Sequence, residues 1–247
     1  MMKQKRMLAI SLVLVLLASL FVIAPTSAVT QQVSLIYAKP NMLYSNVWAE
    51  GYVEVEDIGT EKTVTIHYSF DGTNWKDIEA EYYKDTFGNR EAWSFKTDSL
   101  YIGYRGNATV QFAIKYEVDG ATYWDNNNGA NYHVKAGYGV TSQFDFGNGG
   151  IAYWYQSQKY EGVLVHTQLH NLAYDKDVRV RYTTDNWATY QEAQGYFVSS
   201  LPDSASEFWE IYVPTLEPFE YAISYTVNGT TYWDNNFGEN YTFTPAA

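Results

Sequence analysis

Two ten-residue segments place a tryptophan beside several amide side chains: YWDNNNGANY from Tyr123 and YWDNNFGENY from Tyr232. An indole presents a flat apolar face, and each asparagine offers both hydrogen-bond donors and acceptors. Repetition of a buried core would preserve apolar residues, whereas this repeat, 109 residues apart, preserves polar and aromatic ones. The residue types therefore favour noncovalent binding of a ligand that carries both apolar patches and hydroxyl groups.

The strands before these segments determine which way each tryptophan points. Asp119–Gly120 is a strong signal for a two-residue hairpin loop, because that turn requires positive φ at both central residues. Counting back from the loop pairs Trp124 with Lys115, and directly paired residues share a face of the sheet. The same count from Asn228–Gly229 places Trp233 on the polar face of its hairpin. Both indoles are therefore expected on the solvent side.

An exposed indole beside amides fits a sugar ring, whose axial C–H groups form an apolar patch while its hydroxyls require hydrogen bonds. One such stack contributes about 0.5–1.5 kcal/mol if it resembles other aromatic contacts, so a single site should be weak. The alternative is that Asp-Asn-Asn is only a turn, since these residues close Asx turns readily. A single copy fits both explanations equally, but an outward tryptophan in both copies favours a binding face.

The repeat extends over both halves of the chain. The matched segments are VTIHYSFDGTNW (64–75) with VRVRYTTDNW (178–187), and FAIKYEVDGATYWDNN (112–127) with YAISYTVNGTTYWDNN (221–236). Apolar and polar residues alternate along them, which is typical of half-buried antiparallel strands, and no long helical period follows the N-terminal segment. We therefore predict an all-β protein of two sandwiches, with Trp93 and Trp209 in the cores and a hinge at 136–141.

The N-terminal segment has a cationic start, an apolar run over 8–24, and Pro25 followed by small residues up to Ala28. This order is typical of a secretory signal peptide. An uncleaved membrane anchor is the alternative, but the proline and the small residues favour cleavage and secretion. The predicted organisation is a signal peptide at 1–28, a first module at 29–135 and a second module at 142–247.

Charge and cysteine content exclude several partners. Removal of 1–28 takes away three of the 16 basic residues and none of the 28 acidic ones, so the rest of the chain carries a net charge of −15. Such a charge disfavours nucleic acid and anionic membranes as partners. The chain has no cysteine, which excludes disulfides and thiolate metal sites. No cofactor is expected.

The matched segments and the ending YWDNN…NY resemble carbohydrate-binding module family 21, over nearly the whole of each half. This family includes starch-binding modules and the glycogen-targeting regions of type-1 protein phosphatase regulatory subunits. The resemblance implies two tandem immunoglobulin-like antiparallel β-sandwiches that bind α-1,4-glucans without catalysis. It implies one sugar site in each module, formed by Trp75, Trp124, Asn126, Asn128 and Asn131 in the first and by Trp187, Trp233, Asn235 and Asn240 in the second. Phe237 replaces the third amide, and Ala113 and Ala222 stand where starch-binding members often carry an aromatic residue, which implies a smaller platform.

The resemblance also implies a second kind of site, around an aromatic residue and a lysine that precede the VRVRY strand. The second module keeps this segment as NLAYDK, and the implied residues are Asn171, Tyr174, Lys176, Tyr196 and Glu207. In the first module the segment is DIGTEK, so Asp57 and Thr60 replace the amide and the aromatic residue, while Lys62 and Glu91 remain. We therefore predict that this site functions only in the second module.

Three function classes compete. The repeat favours non-catalytic binding of starch, glycogen or malto-oligosaccharides, because linking two weak sites raises avidity by roughly 10²- to 10⁴-fold. The protein would then anchor itself, or an extracellular amylolytic enzyme, to the polysaccharide. The alternative is a secreted adhesion or structural β-sandwich protein that binds a protein or another glycan. A glycoside hydrolase is the third class; it requires two carboxylates flanking the scissile bond, and no nucleophile elbow or zincin motif is present.

Two further signals are weak. His166 and His170 would lie about 13 Å apart on a strand, too far to share one metal, so no metal site is predicted. The phosphatase-docking signature, a basic residue followed by Val-x-Phe, lacks its basic residue at VQF from Val110. Together with the leader, this sets aside a glycogen-targeting role.

Overall fold

The computed structural model describes residues 31–147, 149–201 and 205–245, and the predicted signal peptide lies outside them. Helix in this part of the chain is confined to two three-residue 3₁₀ turns, Asn127–Gly129 and Asn236–Gly238, and none is long and apolar enough to cross a membrane. The first module contains β1 (Val33–Leu43), β2 (Asn46–Glu56), β3 (Lys62–Ser69), β4 (Lys76–Glu79), β5 (Glu81–Thr86), β6 (Arg90–Lys96), β7 (Leu100–Tyr101), β8 (Asn107–Val118), β9 (Ala121–Asp125) and β10 (Tyr132–Gly137). The second contains β11 (Ile151–Gln158), β12 (Val163–His170), β13 (Lys176–Thr183), β14 (Gln191–Ser200), β15 (Ser206–Val213), β16 (Phe219–Val227), β17 (Thr230–Asp234) and β18 (Tyr241–Phe243).

The first module is a sandwich of two antiparallel five-stranded sheets. One sheet has the order β1-β2-β6-β5, with β7 beside β2, and the other has the order β10-β8-β3-β4, with β9 beside β8. Both carry inward apolar residues that form one core, and Trp93 packs against it. The buried residues alternate along β2 as the period of two requires.

The second module repeats this arrangement, except that one long strand, β14, joins the two layers. Its strands follow the order β11-β12-β15-β14-β13-β16-β17, with β18 beside β16. The first half of β14 pairs with β13 and the second half pairs with β15, so this strand passes from one layer of the sandwich to the other. Its core is built like the first, and Trp209 packs against it. The predicted tandem antiparallel β-sandwiches are confirmed.

The two hairpins that end in β9 and β17 have the predicted register. Lys115 pairs with Trp124, and Ser224 pairs with Trp233. The loop residue Asp119 has a φ of 46° and Gly120 has a φ of 85°, as a primed turn requires. Trp124 is 52% exposed and Trp233 is 46% exposed, so both indoles lie outside the cores.

The two sandwiches belong to one compact unit that begins at Gln32. The segment 136–141, where the sequence suggested a hinge, contacts the first module. Ala136 lies in β10 and is buried, and the N–H of Tyr138 donates to the carbonyl of Gly106 at 2.9 Å. Four residues beyond the segment, Asp145 forms an antiparallel bridge with Ala38 of β1.

Candidate functional site

The aspartate of each repeated segment is buried and holds its module together. Asp125 accepts hydrogen bonds from the N–H of Leu35 at 2.9 Å and from the hydroxyl of Tyr132 at 2.7 Å. Asp234 accepts equivalent bonds from the N–H of Tyr153 at 2.6 Å and the hydroxyl of Tyr241 at 2.7 Å. In both modules the donating N–H lies beside a β-bulge in the first strand. Burial raises the pKa of Asp234.

The asparagines that follow form the 3₁₀ turns. The side chain of Asn126 accepts from the N–H of Gly129 at 3.0 Å, and Asn127 donates to the carbonyl of Asn131 at 3.1 Å. The capping oxygen of Asn126 is thus used within the turn, while its NH₂ group is left to donate to a ligand. Asn128 is exposed and has a φ of 56°, and Asn131 has a φ of 58°. The same segment therefore forms the turn and presents amide groups to solvent.

In the first module, a histidine joins the two tryptophans of the predicted sugar site. The His67 ring stacks on Trp75 with a centroid distance of 4.7 Å and an interplanar angle of 9°. The same ring meets Trp124 edge-on at 6.4 Å. The Nδ1 atom of His67 lies 2.6 Å from a carboxylate oxygen of Asp77, which fixes the ring. Trp75 and Trp124 thus flank one outward patch, which we call the first indole site together with the turn asparagines.

In the second module, the predicted residues line one open pocket of about 230 Å³. Its lining consists of Arg181, Trp187, Ala222, Trp233, Asn235 and Asn240, which we call the second indole site. The Arg181 guanidinium lies 5.0 Å from the centroid of the Trp233 ring, and both its Nε and Nη2 donate to Glu192. Trp187 donates its indole N–H to Glu220 at 2.7 Å. The pocket therefore combines two aromatic rings with cationic and amide donors.

The loop that presents Trp187 is closed by a single carboxylate. Asp185 accepts from the N–H and hydroxyl of Thr189, at 2.9 and 2.7 Å, and from the hydroxyl of Thr183 at 2.7 Å. These bonds, the backbone bond of Thr189 first, lower the pKa of Asp185 to about 2. Trp187 itself has a φ of 67°, a left-handed conformation that is unusual for a bulky residue. The first module closes its longer loop in the same way, through Asp71 and the N–H groups of Thr73 and Asn74.

The second predicted site contains a buried ion pair. The Nζ of Lys176 lies 3.2 Å from Oε2 of Glu207, and Trp209 donates its indole N–H to the same oxygen at 2.9 Å. Both charged side chains are more than nine-tenths buried. Tyr174, two residues before Lys176, is 96% exposed, and the N–H of Asn171 donates to the carbonyl of Ala205. The structure thus brings Lys176 and Glu207 together at the edge of the sandwich.

Tyr196 lies on the other face of its strand. It pairs with Glu210 and donates its hydroxyl to that residue at 2.7 Å. The aromatic residue that shares a face with Glu207 and Trp209 is Phe197, which is 50% exposed and lies 6.0 Å from the Trp209 ring. We use the name lysine site for Tyr174, Lys176, Phe197, Glu207 and Trp209.

The first module keeps most of the lysine site except the loop aromatic. Lys62 binds Glu91, to which Trp93 donates at 3.0 Å, and it also binds Asp57. Burial opposes the charge on Lys62, but the two carboxylates raise its pKa above the ordinary value. In the first module, Asp57 therefore forms an additional ion pair with Lys62. Thr60 stands there at the position of Tyr174.

Sequence reasoning missed four residues at these sites: His67, Arg181, Phe197 and Trp209. His67 and Arg181 occupy equivalent outward positions, opposite Ala113 and Ala222 respectively. The sequence could have indicated both residues, because each lies at a polar position of the strand that leads to the loop tryptophan. Among the described residues, no group of three or more histidine, aspartate or glutamate side chains could hold a metal ion.

The model of the carbohydrate/starch-binding module (family 21) matches residues 29–135 and 151–244. The chain belongs to this family. Each match covers nearly one whole sandwich, so each indole site lies within a matched module.

Relatives of this family 21 protein include protein phosphatase 1 regulatory subunit 3B of Danio rerio, 42% identical over 89 residues, and that of Homo sapiens, 39% identical over 88 residues. These matches cover 34% of this chain and 29% and 30% of the relatives, so the chain spans less than a third of their length. Two solved structures are also similar, each with a TM-score of 0.35. The starch-binding domain of Rhizopus oryzae glucoamylase is 33% identical, over 43% of this chain and 94% of that chain. The carbohydrate-binding module of the muscle glycogen-targeting subunit of protein phosphatase-1 is 30% identical, over 42% of this chain and 74% of that chain.

Proposed function

We propose that this protein is a secreted, non-catalytic α-glucan-binding protein whose two modules hold it on starch, glycogen or malto-oligosaccharides. The observation that carries this proposal is the second indole site, where two indoles, a guanidinium and two amides line one open pocket. The indoles supply apolar faces for the C–H patches of a glucose ring. The amides and the guanidinium supply donors for its hydroxyls.

Two modules on one chain suit a polymer rather than a free sugar. A single aromatic stack is worth about 0.5–1.5 kcal/mol, which is too little for firm binding. A starch granule offers many identical sites, so two linked modules that reach the same granule gain avidity without new contacts. The duplication of the whole indole site supports this role.

Secretion and a partner enzyme complete the proposal. The pattern of residues 1–28 supports export, and the acidic remainder of the chain disfavours binding to nucleic acid or anionic membranes. In an extracellular setting, binding to the polysaccharide would place this protein, or an amylolytic enzyme that associates with it, at its substrate.

Phosphatase targeting is a second candidate, because the relatives named above are protein phosphatase 1 regulatory subunits. The Val-x-Phe segment of this chain does not favour it. Val110 and Phe112 are both fully buried in β8, where a partner protein has no access to their side chains. We therefore place glucan binding first.

Sedimentation with granular starch tests the proposal, with cellulose as the control polymer. We expect the mature protein to sediment with starch only, and Trp124→Ala combined with Trp233→Ala to leave most of it in the supernatant. A matched variant, Tyr44→Ala combined with Tyr160→Ala, removes two aromatic side chains that are 85% and 92% exposed on other loops and should bind as the wild type does.

Wild-type protein that stays in solution with starch would contradict the proposal. A tryptophan double variant that sediments as fully as the wild type would contradict the assignment of starch binding to the indole sites. Binding lost equally in the tyrosine double variant would point to an unspecific aromatic surface, as an adhesion protein could have. Release of reducing sugar from starch in the same samples would support the hydrolase class. Far-UV circular dichroism of each variant shows whether the fold is retained.

A further inference from the structure

The turn that carries the amides of the second indole site has two sides. Asn235 and Asn240, at its ends, line the pocket beside Trp233. Phe237 and Glu239, between them, contact the first module. One short segment therefore connects the sugar pocket of one module with the surface of the other.

Phe237 completes a cluster of three aromatic rings. Its centroid lies 4.5 Å from that of Tyr52 in β2 and 5.4 Å from that of Tyr83 in β5. The two tyrosines are 5.2 Å apart, and all three pairs are inclined by more than 50°. Tilted and edge-to-face pairs at these distances are favourable beyond the area they bury.

The first module shows the same turn without such a contact. Asn128 occupies the position equivalent to Phe237 with the same φ of 56°, and its side chain is exposed. Asparagine tolerates this left-handed conformation, whereas a bulky residue there is strained. Strain of this kind persists only where surrounding contacts determine the conformation. The hydrogen bonds within the turn act on this residue in both modules, and in the second module the contacts with Tyr52 and Tyr83 are added to them.

Other contacts fix the position of the turn. Lys84 donates to Glu239 at 2.7 Å, an exposed ion pair that contributes little energy and is a second contact between β5 and the turn. Beside it, Asp145 exchanges two backbone hydrogen bonds with Ala38, at 2.9 and 3.0 Å. A buried cluster covers the same junction, formed by Tyr37, Phe144, Phe146 and Ala152.

We propose that the first module is a structural part of the second indole site: Phe237, docked on Tyr52 and Tyr83, positions the turn that presents Asn235 and Asn240 to a glucan. Phe237 is thus a positioning residue that does not itself touch the sugar. The two indole sites then belong to one rigid body with a fixed relative orientation. This inference rests on the proposed function only where it concerns sugar affinity.

The test uses the full chain in a Trp124→Ala background, so that indole-site affinity reports the second module. Maltoheptaose binding is measured by calorimetry for Tyr83→Ala, Phe237→Ala, the two combined, Phe237→Tyr as the conservative variant and Phe87→Ala as the control, because Phe87 is a first-module aromatic residue that is 98% exposed. Both Tyr83→Ala and Phe237→Ala should bind about 3- to 10-fold more weakly, and the combination should be little worse than either, because one contact is lost in each case. Phe237→Tyr and Phe87→Ala should retain the affinity of the background.

A second readout does not depend on sugar. In amide and indole NMR spectra of the unliganded protein, Tyr83→Ala should shift the Trp233 indole and Asn235 side-chain signals and leave those of Asn126 unchanged. Absence of maltoheptaose binding in every variant would contradict the proposed function. The NMR shifts would still test the positioning role of Phe237. The inference is overturned if Tyr83→Ala and Phe237→Ala move neither the affinity beyond twofold nor these signals.

Discussion

The carboxylate of Asp125 accepts a hydrogen bond from the backbone N–H of Leu35 at 2.9 Å, across 90 residues of sequence. Asp234 and Tyr153 repeat this relationship in the second module. The bond ties the last part of each sheet to a bulge in its first strand. The aspartate of YWDNN is therefore a residue of the fold, whereas the tryptophan before it faces solvent.

Asp125→Ala should destabilise the protein without removing a sugar contact. The substitution leaves a buried N–H at Leu35 and the Tyr132 hydroxyl without their acceptor, which costs roughly 2–3 kcal/mol in the free energy of unfolding. Urea unfolding followed by tryptophan fluorescence measures this cost. Glu61→Ala, an exposed change in a loop of the same module, is the control and should lie within about 0.5 kcal/mol of wild type. Equal stability of the two variants would contradict the structural role of Asp125.

The exposure of the tryptophans could be predicted from the sequence because it depends on local rules. A two-residue turn sets the register, and the register sets the face on which each side chain lies. Trp124 and Trp233 therefore followed from counting back to Asp119 and Asn228. The family resemblance implied Lys176 and Glu207 in one site, and the structure pairs these side chains and adds Trp209 to them.

The missed features depend on contacts that no local pattern records. Phe237 suggested only the loss of an amide, because its partners Tyr52 and Tyr83 belong to the other module. Tyr196, which the resemblance implied, and Phe197, which shares a face with Trp209, are neighbours on β14, and a bulge follows Phe197 in the pairing of β14 with β15. A one-residue difference places a side chain on the opposite face of a sheet.

Arg181 should contribute to sugar affinity in the second module. Its guanidinium lines the pocket, faces the Trp233 ring and carries donors suited to hydroxyl oxygens. In the Trp124→Ala background, Arg181→Ala should weaken maltoheptaose binding by about 2- to 10-fold. Arg179→Ala is the matched control, because Arg179 lies on the same strand and also binds Glu192 but does not line the pocket. Equal losses in both variants would show an effect of the strand rather than of the pocket.

The second indole site should weaken in acid. The loop bonds lower the pKa of Asp185 to about 2, against an ordinary value of about 3.9. The ionised carboxylate therefore stabilises the folded loop above pH 4, and this contribution is lost as the pH falls from 4 towards 2. Fluorescence titration with maltoheptaose in the Trp124→Ala background should show affinity declining in this window.

Asp185→Ala provides the comparison for this pH effect. It removes the acceptor that closes the Trp187 loop, so its affinity should already be reduced at pH 7 and should change less between pH 4 and pH 2 than that of the parent. Far-UV circular dichroism at each pH separates loop opening from global unfolding. The same steep decline in Asp185→Ala as in the parent would assign the acid effect to another group.

The lysine site should use Phe197 rather than Tyr196. Phe197 shares a face with Trp209 and Glu207 and is half exposed, while Tyr196 is turned away and bonded to Glu210. With Trp124 and Trp233 both replaced by alanine, residual maltoheptaose binding reports this site. Tyr174→Ala and Phe197→Ala should each weaken it by about 2- to 10-fold, the value of one aromatic stack, and Tyr196→Ala should leave it unchanged. Chemical-shift titration of the Trp209 indole signal measures these affinities, and a loss confined to Tyr196→Ala would place the site on the outer face of the sheet.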